Sequence, residues 1–246
     1  MPVLKDENME ELNTASNYKF SAVKVDELGA TEYTLVTVAQ DVSGSVASYN
    51  REMEQCLKTI LEACQKSPRA ENLMLRLAIF DDQVNEVHGF KPLETIDASD
   101  YDNVLGPGGM TALFDAVQSG VEATQNYGEV LSGQDFSVNA IVFIVTDGMD
   151  NSSRATANSV KKSVENAIKS EHLEGITVVL VGVGTGDKMV DQYLQDFQKD
   201  ANITQYVPIG DATKGKLAKL ANFVSQSISS TSQALANGTS SALLTF

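Results

Sequence analysis

Three features of the sequence predict an α/β fold with a mostly parallel sheet and helices on both faces. Short apolar stretches rich in β-branched residues alternate with longer stretches at helical spacing. Residues 138–146 form a continuous apolar strand, as expected where helices cover both faces of a sheet. Strands at 73–80 and 84–90 are joined only by Asp81-Asp82-Gln83, a link that permits only an antiparallel hairpin. The chain of 246 residues fits one large domain with extensions, and a hydrophobic content of 42% supplies a real core.

In chain order, residues 1–16 are polar and acidic without periodicity, which predicts a mobile arm or a short helix. Residues 18–25 alternate loosely and are a candidate extra strand. The first core strand covers 33–40. A helix follows over 46–65, with Tyr49, Met53, Cys56, Leu57, Ile60 and Cys64 on one stripe and Pro68 beyond its end. After the hairpin, 92–105 is irregular and acidic. A helix over 112–127 turns Leu113, Phe114, Val117 and Val121 inward. Next come the strand at 138–146 and a helix over 153–171, with Val160, Val164 and Ile168 on one side. A strand at 176–183, a helix over 188–199, a strand at 203–209 and a helix over 216–230 complete the alternation. The domain therefore spans 33–230, between an arm at 1–32 and a Ser/Thr-rich tail at 231–246.

The chemistry is concentrated where the first strand ends. Val36-Thr37-Val38-Ala39-Gln40 runs into Asp41-Val42-Ser43-Gly44-Ser45 and then into helical spacing. One carboxylate and two hydroxyls thus sit on a strand-to-helix turn, and Gly44 lets the backbone bend. No base accompanies a nucleophile here. Oxygen donors on a tight loop suit a hard cation such as Mg²⁺.

Asp-x-Ser-x-Ser in this position resembles the first part of the metal-ion-dependent adhesion site of von Willebrand factor A domains. The other two parts are also present: Thr111 in Gly108-Gly109-Met110-Thr111, opening a helix, and Asp147 in Ile144-Val145-Thr146-Asp147-Gly148, ending an apolar strand. The resemblance covers residues 33–229. It implies a doubly wound six-stranded sheet of order 3-2-1-4-5-6 with strand 3 antiparallel. Asp41 and Asp147 then meet at the switch point of the sheet, where ligands of such folds bind. It also implies that Ser43, Ser45 and Thr111 ligate the metal directly while Asp41 and Asp147 act through water or hydrogen bonds. Neutral hydroxyls leave the ion electrophilic, so the expected partner is a protein presenting an Asp or Glu. Mg²⁺ is the expected ion, with Mn²⁺ and Ca²⁺ left open. By the same resemblance, intracellular members often work within multi-protein machines. A scaffold subunit without metal-dependent binding and a metal-dependent hydrolase are the alternative readings.

Other features carry less. A net charge of −15 argues against nucleic acid and against an anionic membrane. Cys56 and Cys64 lie ~12 Å apart along one helix, too far to bridge, and read as core residues of a reducing compartment. Residues 1–13 lack an apolar leader, and no run is long enough to span a membrane. A cytoplasmic location, or a particle assembled there, is expected. Gly210-Asp211-Ala212-Thr213-Lys214-Gly215-Lys216 has the glycine and lysine spacing of a phosphate loop, but Leu217 stands where Ser or Thr is needed. Gly182-Val183-Gly184-Thr185-Gly186 lacks the spacing of a dinucleotide turn. Asp115 is expected to be exposed, with a role as acceptor behind Thr111 as the alternative. Asp150, Asp81 and Asp82 are expected in turns, and His88 and His172 are not spaced as zinc ligands.

Overall fold

The computed structural model describes residues 8–184 and 186–246. Residues 1–7 of the acidic arm and Thr185 of the glycine turn lie outside the described residues. The elements are β1 (Met9–Asn13), β2 (Lys19–Val23), β3 (Glu32–Asp41), α1 (Asn50–Gln65), β4 (Leu73–Phe80), β5 (Val84–Pro92), α2 (Leu113–Ser132), β6 (Ser137–Thr146), α3 (Ala157–Lys169), β7 (Gly175–Val183), α4 (Lys188–Asp200), β8 (Gln205–Ile209) and α5 (Lys214–Ala236).

The sheet contains eight strands among the described residues, in the order β1-β2-β5-β4-β3-β6-β7-β8, and not the six that the sequence predicts. The expected order is preserved inside it: β3 pairs in parallel with β4 and β6, β6 with β7, β7 with β8, and β5 runs antiparallel to β4. The two additional strands form an antiparallel hairpin from the N-terminal arm, and β2 joins the edge at β5 through Ala22 and Phe90. Gly89 permits that junction, because a Cβ there would lie 1.9 Å from the Ser21 carbonyl oxygen. Glu86 fixes it, accepting from the Ser21 amide (2.9 Å), the Ser21 hydroxyl (2.6 Å) and Nε of buried Arg76 (2.7 Å). The expected mobile arm is thus an extension of the sheet from Met9 onward.

Helices α1 and α5 cover one face, over Val36, Val38, Leu75, Leu77, Phe143 and Val181. Helices α2, α3 and α4 cover the other, over Leu35, Ala39, Phe80, Val142, Ile144 and Leu180. Burial on both sides of β3 and β6 accounts for their mostly apolar sequences. Asn139 is the exception within β6. It accepts from the Thr34 hydroxyl (2.8 Å) and donates to the Thr231 carbonyl (2.7 Å), which holds α5 in place past its predicted end at 230.

Two further expectations are corrected. The helix after the first strand is preceded by a 3₁₀ segment, Gly44–Tyr49, so α1 proper begins at Asn50. Ile168 is 49% exposed, while Ala167 is buried. Eight residues beyond Val160, Ile168 is rotated about 80° away from it around the helix, whereas the seventh residue returns to the inward face.

His88 is buried on β5 and its ring stacks on Tyr101. The Gly89 carbonyl can only accept, so Nδ1 carries the proton (2.9 Å), and Nε2 accepts from the Tyr101 hydroxyl (3.0 Å). Burial lowers its pKa from 6.5 to about 4. The unfolded chain therefore takes up a proton that the fold excludes as pH falls between those values, and stability is lost on acidification. Urea unfolding at pH 7 and pH 4 is expected to show this loss, to which His88 contributes roughly 3 kcal/mol. The His88→Asn variant is expected to have a flatter pH dependence over the same window.

Candidate metal centre

Four loops meet at the carboxyl ends of the central strands. Residues 42–45 follow β3, which ends at Asp41, 81–83 join β4 to β5, 106–112 lead into α2, and 147–156 follow β6. Backbone bonds knit them: Val42 N–H donates to Phe80 O (2.8 Å), Gly108 N–H to Val42 O (2.8 Å), Ala112 N–H to Asp81 O (2.6 Å) and Asn151 N–H to Thr111 O (3.0 Å). Gly109 has φ of 69°, and a Cβ on it would lie 2.1 Å from Asp82 Oδ1. Glycine at 109 is therefore required by the hairpin turn packed against it.

Asp41 closes β3 and is 1% exposed. Its Oδ1 accepts from the Ser43 amide (2.7 Å) and its Oδ2 from the Thr146 hydroxyl (2.6 Å) of the adjacent strand. Burial raises the pKa of this carboxyl, and the two donors work against that rise. The hydroxyls of Ser43 and Ser45 lie 3.1 Å apart, and Ser45 donates to Asp147 Oδ1 (2.7 Å). The second Asp147 oxygen accepts from the Tyr49 hydroxyl (2.6 Å). Burial and the adjacent carboxylate keep that phenol protonated, well above its usual range.

Thr111 is buried, and its amide donates to Asn151 Oδ1 (2.7 Å). Its hydroxyl lies 3.8 Å from the position a Cβ would take on Gly148, the residue after Asp147. All five predicted residues therefore stand on loops that contact one another, with Ser43 and Asp41 inside and Ser45 toward solvent.

This donor set fits a small hard cation. Oxygens at 2.0–2.1 Å from Mg²⁺ in an octahedron stand about 2.9 Å from one another. The 3.1 and 2.7 Å separations along Ser43, Ser45 and Asp147 are of that size. Among the described residues there is no group of three or more His, Cys, Asp or Glu placed to hold a metal, so the hydroxyls are what distinguish this set.

Sequence reasoning missed three supporting residues. Thr146 directly precedes Asp147, Asn151 follows it by four positions, and Tyr49 sits in the predicted helical stripe. None carries a signal that separates it from ordinary strand, turn or core residues. Asp115 is buried, not exposed. It accepts from the amides of Arg154 (3.1 Å) and Ala155 (2.8 Å), which lie on the loop carrying Asp147. Asp150 accepts from the amide of Phe114 (3.2 Å) and from the Ser153 hydroxyl. Asp81 Oδ1 accepts from the Gln83 amide within the hairpin turn. His172 is half exposed near a helix end. Lys216, in the phosphate-loop-like segment, pairs with Asp211 (3.0 Å).

No protein-family model and no curated protein matches the sequence. Solved structures do. The PilB minor pilin from Streptococcus sanguinis is similar over 87% of this chain and 65% of its own, at 15% identity and a TM-score of 0.59. Proximal thread matrix protein 1 from the mussel byssus, solved with a zinc-occupied metal-ion-dependent adhesion site motif, is similar over 80% of this chain and 46% of its own, at 19% identity and a TM-score of 0.54. The pilus adhesin SpaC from Lactobacillus rhamnosus GG is similar over 82% of this chain and 31% of its own, at 11% identity and a TM-score of 0.60. The chain thus spans less than two thirds of the length of each. These are likenesses of fold, and the chain has a von Willebrand factor A-like α/β fold.

The contact of Gly109 with Asp82 gives a test of how the loops are held. Gly109→Ala is expected to destabilise the protein by about 1–2 kcal/mol, from the left-handed backbone and the displaced Asp82. Gly106→Ala, where a Cβ meets nothing within 4 Å, is expected to be close to neutral. Thermal unfolding of the two variants measures the difference.

Proposed function

We propose that the protein is a metal-dependent protein-binding module that engages an acidic residue of a partner protein through a divalent cation. The observation that carries the reading is the pair of hydroxyls of Ser43 and Ser45, 3.1 Å apart as neighbouring ligands of one small ion would be, with Asp147 hydrogen-bonded to Ser45 and Thr111 on the abutting loop. In this reading Ser43, Ser45 and Thr111 hold the ion, and Asp41 and Asp147 hold it through water or hydrogen bonds. The ion supplies a positive charge that hydroxyl ligands leave largely unquenched. The chain's residues do the rest: Thr146 and the Ser43 amide fix Asp41, Tyr49 fixes Asp147, and Asn151 fixes Thr111.

Mg²⁺ is the proposed ion, since the donors are all oxygen; Mn²⁺ and Ca²⁺ suit the same set. The zinc-occupied motif of the byssus protein supports a divalent cation in general. The pilin and adhesin neighbours support a role in binding or assembly, and membership of a multi-protein complex is part of the proposal. The carboxylates here are occupied in fixing loops, which favours binding over hydrolysis. Free, buried Cys56 and Cys64 support a cytoplasmic setting.

Calorimetry with Mg²⁺ and Mn²⁺ tests the metal, and affinity capture with and without EDTA tests the partner. Wild-type protein is expected to bind one ion. Asp41→Asn, which keeps the shape but not the charge, is expected to bind it about 10–100-fold more weakly. Partner capture is expected to stop in EDTA and return with Mg²⁺. Capture indifferent to chelator would end the proposal.

A further inference from the structure

Helix α2 is unusual in being buried on the side turned away from the sheet. Thr111, Asp115, Gln118 and Glu122 recur at helical spacing, on the face opposite Val117, Gly120 and Thr124, which pack on the sheet. In a doubly wound fold that outer face meets solvent. Here Asp115, Gln118 and Glu122 are 6–7% exposed. What covers them is the turn of the N-terminal hairpin, residues 14–18, together with the start of α3.

The contacts are specific. Glu122 accepts from the Ser16 amide (3.0 Å) and hydroxyl (2.8 Å), from Gln118 (3.0 Å) and from Ser163 (2.7 Å). Burial alone would raise its pKa, and these donors bring it below the usual value instead. Gln118 also donates to the Ser16 hydroxyl (2.9 Å). Asn126 donates to the Asn13 carbonyl (3.0 Å). Tyr18 donates its hydroxyl to Asp115 Oδ1 (2.9 Å).

Asp115 is the link to the metal loops. The oxygen that takes the Tyr18 hydroxyl also takes the Ala155 amide, its second oxygen takes the Arg154 amide, and its own amide donates to the Ser153 hydroxyl (3.1 Å). The loop so held carries Asp147 and, through Asn151, bonds Thr111 on both its amide and its carbonyl.

We propose that Tyr18 is a positioning residue for the metal site: through Asp115 it holds the 147–156 loop against the start of α2, so that the N-terminal hairpin is part of the frame that keeps Thr111 and Asp147 in register. This inference rests on the metal reading above. Binding of the ion and docking of residues 14–18 are then coupled, and each strengthens the other by the same factor.

The test uses the full chain, wild type and Tyr18→Phe, which removes one oxygen and keeps the ring. Mn²⁺ affinity is read by calorimetry, and amide hydrogen exchange is read with and without Mg²⁺. Tyr18→Phe is expected to weaken Mn²⁺ binding about tenfold, the worth of one hydrogen bond to a carboxylate, with the melting temperature kept within a few degrees. Exchange at Arg154 and Ala155 is expected to speed up in the variant even without metal. In wild type, Mg²⁺ is expected to slow exchange in residues 8–18. Lys19→Ala, which removes an exposed ion pair of the same hairpin with Glu11, is the control expected to change neither reading. Equal Mn²⁺ affinity in wild type and Tyr18→Phe would overturn the inference while leaving the metal reading intact. A wild-type chain that binds no Mn²⁺ would end both.

Discussion

A carboxylate sealed at the end of the central strand is the constraint around which the rest is arranged. Removing an ionised group from water costs several kcal/mol. Asp41 has two bonds to set against that, one from its own turn and one from Thr146 on the neighbouring strand. Hydrogen bonds to a charged group contribute about 1.5–3 kcal/mol each. The two sums are of similar size, so the site tolerates the charge without strongly favouring it. The Thr146 donor depends on β3 and β6 lying side by side in register, Gln40 opposite Val145. The switch point of the sheet is therefore what makes the carboxylate possible, and it brings Asp147 within reach of Ser45.

The net charge of −15 sharpens the proposed mode of binding. An acidic partner is repelled by such a surface at long range. At physiological salt that repulsion fades beyond about 8 Å, and recognition has to come from a short-range contact. A cation ligated largely by neutral hydroxyls supplies such a contact at one point. In the proposed reading this is a physical reason for a site of serines and a threonine in so acidic a chain: further carboxylate ligands would quench the attraction that the ion supplies.

The core of the fold was legible because its signals are local. β6 reads as buried from composition alone, and the hairpin of β4 and β5 is forced by three linking residues. Asp41, Ser43 and Ser45 are legible because each lies within a few residues of a strand end. Of the N-terminal hairpin, β2 (Lys19–Val23) forms where residues 18–25 alternate loosely, but β1 was not legible, for the opposite reason. Met9–Asn13 has neither alternation nor β-branched residues, and its strand conformation comes from pairing with β2. β2 in turn reaches the sheet only because residue 89 has no side chain. Nothing near residue 9 announces that. Asp115 was misjudged in the same way, since its spacing from Thr111 is visible while the turn that buries it comes from 97 positions earlier.

These two kinds of information divide the site mechanically. Between Leu113 and Thr124 every residue of α2 except Phe114 is buried, with the sheet on one side and the hairpin turn and α3 on the other. A helix held on both faces cannot shift without breaking both, so the place of Thr111 is set by the whole domain. Ser43 is likewise sealed. Ser45 is exposed, and among the described residues its hydroxyl bonds to Ser43 and Asp147. The half of the oxygen set nearest the core is thus fixed by the fold itself, and in the proposed reading any adjustment to an ion or partner falls to the outer, exposed half.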